Sequence, residues 1–142
     1  MWVGHPMATL SATMLTMVAL AGPVRAQVGE QTFRGGRTSD LAALCAADPG
    51  AENGIAARAW CHGFIVGAGQ YETSLAAADP VRERLFCLPE PTPTLDEARN
   101  GFVAWARANP QYGGEKAVDG LMRFAVATWP CPAGPPPRGR RR

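Results

Sequence analysis

With 142 residues, a formal net charge of +2 and 46% hydrophobic residues, the chain is sized for one domain with tails. Four arginines (Arg138, Arg140, Arg141 and Arg142) fall in the last five positions, so the body before them is mildly acidic. That distribution excludes the basic stripe that a nucleic-acid-binding fold carries on its own surface, and no nucleic-acid partner is expected.

The N-terminus reads as an export signal. Met7 to Leu20 is an apolar run, broken by Ala21-Gly22-Pro23 and followed by the small-x-small pattern Val24-Arg25-Ala26. Its length fits a secretory h-region and is too short for a membrane span. A signal peptide over residues 1–26 is expected, leaving no transmembrane segment after cleavage. Residues 27–37 are polar and Gly-containing and read as a flexible leader.

A short first helix is expected from Thr38 or Ser39, either of which could cap it through its hydroxyl. Leu41, Leu44 and Cys45 share one face, and Asp48-Pro49-Gly50 ends it. A second helix is predicted over Ile55 to Ala77, with Trp60, Phe64, Ala68, Tyr71 and Leu75 as its apolar stripe. Ala59, Gly63 and Gly67 recur every fourth residue. They predict a close helix crossing inside the domain, with a dimer or partner groove as the alternative. A Pro-rich loop follows from Ala78 to Pro93.

Thr94-Leu95-Asp96-Glu97 fits a capping box and opens a third helix, with Leu95, Ala98, Phe102, Trp105 and Ala106 on its apolar side. Asn109-Pro110 ends it, and Tyr112-Gly113-Gly114 turns the chain. A fourth helix is expected over Glu115 to Trp129, burying Val118, Leu121, Met122, Ala125, Val126 and Trp129. Pro130 stops it, and residues 132–142 read as a disordered Pro/Arg-rich tail. The fold class is therefore all-α, a small four-helix domain over residues 38–131.

Four cysteines, Cys45, Cys61, Cys87 and Cys131, in an exported chain read as two disulfides. None lies within the two-to-four-residue spacing of paired zinc ligands, and no metal or cofactor is expected. Four cysteines allow three connectivities. A hairpin of helices one and two would join Cys45 to Cys61. An antiparallel pairing of helices three and four would join Cys87 to Cys131.

The cysteine settings carry a resemblance. The chain reads L-x-x-L-C at Leu41–Cys45, C-x-G-F-I-x-G at Cys61–Gly67, F-C-L-P at Phe86–Pro89 and A-V-A-T-W-P-C at Ala125–Cys131. This order resembles the Rap/Tai periplasmic immunity proteins. The resemblance implies an exported, disulfide-bonded helical domain that neutralises a peptidoglycan amidase toxin of type VI secretion by occluding its active site. It also implies a possible homodimer. Loop aromatics are the best anchors for such a partner, which singles out Phe86 and Tyr112.

No catalytic set is expected. His62 lies beside Cys61, which a disulfide would remove as a nucleophile. Ser74 and His62 are twelve residues apart on one helix, about 18 Å, too far for a triad. Asp96 and Glu97 read as first-turn caps rather than a glycosidase pair. The alternative to an immunity protein is a stand-alone periplasmic binding or chaperone-like module. A small hydrolase ranks third.

Overall fold

The computed structural model describes Met1, residues 28–79 and residues 81–132. The expected signal segment beyond Met1, and the tail beyond Pro132, lie outside them. Four helices follow one another: α1 (Thr38–Cys45), α2 (Gly54–Ala78), α3 (Leu95–Ala108) and α4 (Ala117–Thr128). Two 3-10 turns, Thr32–Arg34 and Pro110–Tyr112, precede α1 and α4. Among the described residues there is no strand, and one isolated antiparallel bridge joins Arg37 to Lys116. No helix among them is long and apolar enough to cross a membrane.

The shortest α-helix is the centre of the fold. α1 touches the other three helices and both 3-10 turns. Its Leu41, Leu44 and Cys45 are completely buried. An eight-residue helix is marginal alone, so this burial is what sustains it.

Its start corrects the expected cap. Arg37, not Thr38 or Ser39, is the N-cap residue. Thr38 is buried, and its hydroxyl donates to the carbonyls of Lys116 (3.1 Å) and Glu115 (3.3 Å) instead of accepting from its own helix. The first-turn N–H groups, which have no acceptor within the helix, find partners across the fold: Thr38 N donates to Glu115 O (2.8 Å) and Ser39 N to Gly113 O (3.1 Å). Ala117 N returns a bond to Gly36 O at 3.2 Å. Tertiary carbonyls thus join a local contact, the Asp40 carboxylate accepting from Arg37 N at 3.1 Å, in capping α1.

On α2 the expected stripe holds for Trp60, Phe64 and Ala68, which pack against the core, but not for Tyr71, which is 67% exposed; the buried positions are Gly54, Ala57, Cys61 and Glu72. The bridge to Cys45 fixes Cys61 inward. At 3.6 residues per turn, Glu72 then lies about 20° from Cys61 around the helix, and Gly63 about 160° away. Gly63 and Gly67 accordingly face open space, with nothing within 4 Å of an added Cβ. The close crossing expected there does not form. It occurs on α4, where a Cβ at Gly120 would overlap Thr38.

α3 opens as expected. Glu97 N donates to Thr94 Oγ1 (3.2 Å) and Thr94 N to Glu97 Oε2 (2.7 Å), the reciprocal pair of a capping box. On α4 the buried set is Ala117, Gly120, Leu121, Phe124 and Ala125, whereas Val118 and Val126 are each 42% exposed. The inward face is therefore centred one position earlier than the expected stripe, and Phe124 belongs to it. The Phe124 ring meets Phe102 edge-on at 5.9 Å and Trp129 at 5.2 Å.

Both disulfides pair as the hairpin topology suggested. Cys45–Cys61 ties the end of α1 to α2, and Cys87–Cys131 ties the long loop to the segment after α4.

Candidate protein-binding surface and cleft

In the loop after α2, residue 79 and residues 81–94 have no regular structure yet are held at several points. Asp79 Oδ1 accepts from Val81 N (3.1 Å) and Asp79 O from Arg82 N (3.0 Å), which turns the chain out of α2. Glu72 Oε1 accepts from Leu85 N at 3.1 Å. Cys87 is bonded to Cys131, and its N–H donates to Trp129 O at 2.9 Å. The Glu90–Pro91 peptide is cis.

Held in this way, the loop turns apolar side chains outward. Val81 is 89% exposed, Leu88 47% and Leu85 43%. Apolar groups shown to water on a braced loop mark an interaction surface more strongly than the same groups on a slack one.

Under the loop lies a cleft of about 840 Å³ between α2, the start of α3 and α4. Phe86, Leu88, Leu121 and Trp129 contribute to its apolar walls, and Glu72 supplies a buried carboxylate. Sequence reasoning missed Glu72. The available signal was that it is the one charged residue between Gly63 and Ala78.

The two aromatics singled out from the sequence occupy different places. Phe86 is half-buried, lines the cleft and sits 6.3 Å from the Trp129 ring. Tyr112 is half-buried away from the cleft lining. It stacks on Trp105 at 5.7 Å with an interplanar angle of 3°, and the Arg123 guanidinium lies 4.5 Å from its centroid. Arg123 is anchored in turn by Glu115 (2.7 and 3.1 Å), which holds its charge to still higher pH than usual.

Asp96 centres an ion-pair node with Arg58 and Arg99, and His62 lies beside it. Asp96 Oδ1 lies 3.0 Å from Arg58, 3.1 Å from Arg99 Nε and 3.5 Å from His62 Nε2. Burial alone would raise the Asp96 pKa, but the hydrogen bonds and charges of Arg99 and Arg58 hold it below its ordinary value. Arg99 also donates to Cys45 O at 2.9 Å, placing a cation at the C-terminal end of α1. The node therefore joins α1, α2 and α3. Glu97 is likewise lowered, by the Thr94 side chain and backbone. Among the described residues no three of His, Cys, Asp and Glu gather closely enough to hold a metal ion.

Comparison with known proteins matches residues 37–131 to the family described as Rap1a immunity proteins. Neither a curated protein nor a solved structure matches the chain.

Proposed function

The chain belongs to the Rap1a immunity protein family, and on that premise we propose that it binds a toxin, a secreted peptidoglycan amidase, and inhibits it by covering the active site. The family match carries this reading, because it spans α1 to Cys131, the whole disulfide-stapled body. The resemblance of the cysteine settings to the Rap/Tai immunity proteins supports the finer proposals: an amidase partner delivered by type VI secretion, a periplasmic location after signal cleavage, and a possible homodimer.

The proposed contact element is the 79–94 loop. Occlusion needs a surface that is already shaped, since ordering a loop on binding would subtract from affinity. Val81, Leu85 and Leu88 offer apolar area, and Phe86 stands behind them on the cleft wall. Tyr112, braced between Trp105 and Arg123, is proposed as a second contact.

The test is direct. The oxidised protein is titrated against a peptidoglycan amidase encoded beside its gene, with amidase activity read in the same mixture. Stoichiometric binding with loss of activity is expected. A Val81→Asp/Leu88→Asp variant should weaken binding at least about tenfold, as burial of charge in an interface core does, without lowering the unfolding temperature. A correctly oxidised sample that neither binds nor inhibits would discard the toxin reading in favour of the stand-alone binding module.

A further inference from the structure

Glu72 is out of keeping with its surroundings. It is 5% exposed and lines a cleft with apolar walls. Its Oε1 receives the Leu85 N–H, while Oε2 makes no hydrogen bond among the described residues and keeps some access to solvent. No ion pair among those residues reaches it. A buried carboxylate is costly unless a cation or further donors satisfy it. The loop anchor at Leu85 uses one neutral N–H, which an uncharged glutamine would serve equally well. The negative charge is therefore surplus to the bracing of the loop.

We propose that the cleft is a receptor for an arginine side chain, carried by an extended segment of a bound polypeptide and paired with Glu72. Charge selects a cation. The charged residues of the lining are Glu72, Glu90 and Arg84, a net negative set, and Arg84 is exposed and pairs with neither acid. Burial selects guanidinium over ammonium. Guanidinium is the more weakly hydrated of the two, and its planar fork can donate to Oε2 and to the second lone pair of Oε1 while Leu85 keeps its bond. The walls suit the same group, because Phe86 and Trp129 supply aromatic rings for the guanidinium and Leu121 an apolar contact for the stem. Size selects a polypeptide over a free amine. A volume of about 840 Å³ is that of a site for a drug-sized ligand, within a range of roughly 300–1,000 Å³. Apolar neighbours of the arginine fill the remainder.

The inference rests on reading the chain as a protein-binding module, and it names the partner chemistry that the cleft adds to the outer surface. Val81, Leu85 and Leu88 are exposed on the loop that covers the cleft. A polypeptide seated across that loop can lower one side chain to Glu72, which gives the surface a charge requirement that its apolar area lacks.

The test uses the full, oxidised chain and three probes: acetyl-leucyl-arginyl-leucinamide, its citrulline counterpart and agmatine. Citrulline keeps the shape of arginine without its charge. The arginine peptide should shift the Trp129 indole and Leu85 amide resonances saturably. It should bind at least about tenfold more tightly than the citrulline peptide, the size set by one charge-assisted hydrogen bond. Glu72→Gln keeps the Leu85 acceptor, so Leu85 amide protection should be retained while the two peptides fall to equal, weak affinity. Equal affinity of the two peptides for the wild type, or an arginine preference that survives Glu72→Gln, overturns the pairing. No saturable shift at millimolar peptide overturns the cleft as a receptor. Agmatine binding as tightly as the arginine peptide overturns the polypeptide source in favour of a free amine. Amidase inhibition is read separately. Inhibition without peptide binding removes this inference alone, and peptide binding without inhibition supports it while removing the toxin reading.

Discussion

The same substitution, glycine to alanine, should act with opposite sign on α4 and α2. In a helix interior the exchange itself favours alanine by about 1 kcal/mol. At Gly120 the new methyl would overlap Thr38 Oγ1 and Cγ2 and lie 2.8 Å from Thr38 Cβ. Thr38 cannot yield, since it is 1% exposed and held by its hydroxyl and its N–H to the 115–116 carbonyls. α4 must therefore back away from α1. Overpacking of this kind costs about 1–3 kcal/mol, and the clash with a Cβ puts it at the upper end. Losing the hydroxyl bond adds about 1 kcal/mol. After the propensity gain, Gly120→Ala should destabilise by roughly 2–3 kcal/mol, and lower Tm by roughly 10–20 °C for a domain of this size. Gly63→Ala and Gly67→Ala meet nothing within 4 Å and should each stabilise by about 0.5–1 kcal/mol. Thermal and urea unfolding of the oxidised proteins, followed by circular dichroism, measure all three. Adding Thr38→Ala to Gly120→Ala should recover part of the loss as a coupling energy. A Gly120→Ala protein as stable as the wild type, or a destabilised Gly63→Ala, would refute the packing described for both helices.

Replacing Cys87 and Cys131 together by serine opens a 44-residue link and should cost about 3–4 kcal/mol by chain entropy. The loop from 79 to 94 should then show faster amide exchange than α3, and equal protection of the two would contradict the bracing role. Thr94→Ala removes the reciprocal cap and should cost about 1 kcal/mol, read by urea unfolding. The lowered Asp96 and Glu97 contribute stability that is complete above the unfolded carboxyl range and is lost as pH falls through their folded values. The unfolding midpoint should therefore hold steady down to roughly pH 5 and drop below it. A midpoint that rises on acidification would reverse the sign assigned to both groups.

Local signals read well wherever neighbouring residues alone decide the outcome. The Thr94–Glu97 box closes within four residues, and Asn109-Pro110 ends α3 where a proline must. The disulfide pairing followed from helix order, because a short hairpin leaves Cys45 few partners other than Cys61. What failed to read was helix rotation. On α2, small and aromatic residues surround the whole circumference, so periodicity admits several inward faces. The choice of Tyr71 over Glu72 came from expecting an apolar residue where a carboxylate is buried. On α4, Val118 and Val126 look as apolar as Phe124, and Gly120 facing Thr38 decides the rotation. The tertiary part of the α1 cap was beyond local reading, since its acceptors come from residues 113–116. The cleft follows the same logic. Phe86 was visible as a loop aromatic, but Glu72 becomes a site residue only when the loop folds back on α2.

The cap of α1 also bears on the order in which the protein can assemble. Thr38 and Glu115 are 77 residues apart, so a chain emerging N-terminus first presents α1 long before its acceptors exist. Closing so long a loop is entropically slow, and a lone eight-residue helix does not wait intact. The carbonyls that cap α1 therefore reach it only after nearly the whole body has arrived. The Cys45–Cys61 link, spanning 16 residues, can form on a half-emerged chain, whereas Cys131 becomes available to Cys87 only at the end. Vectorial emergence thus gives the two bridges a sequence in time, with the braced loop completed last.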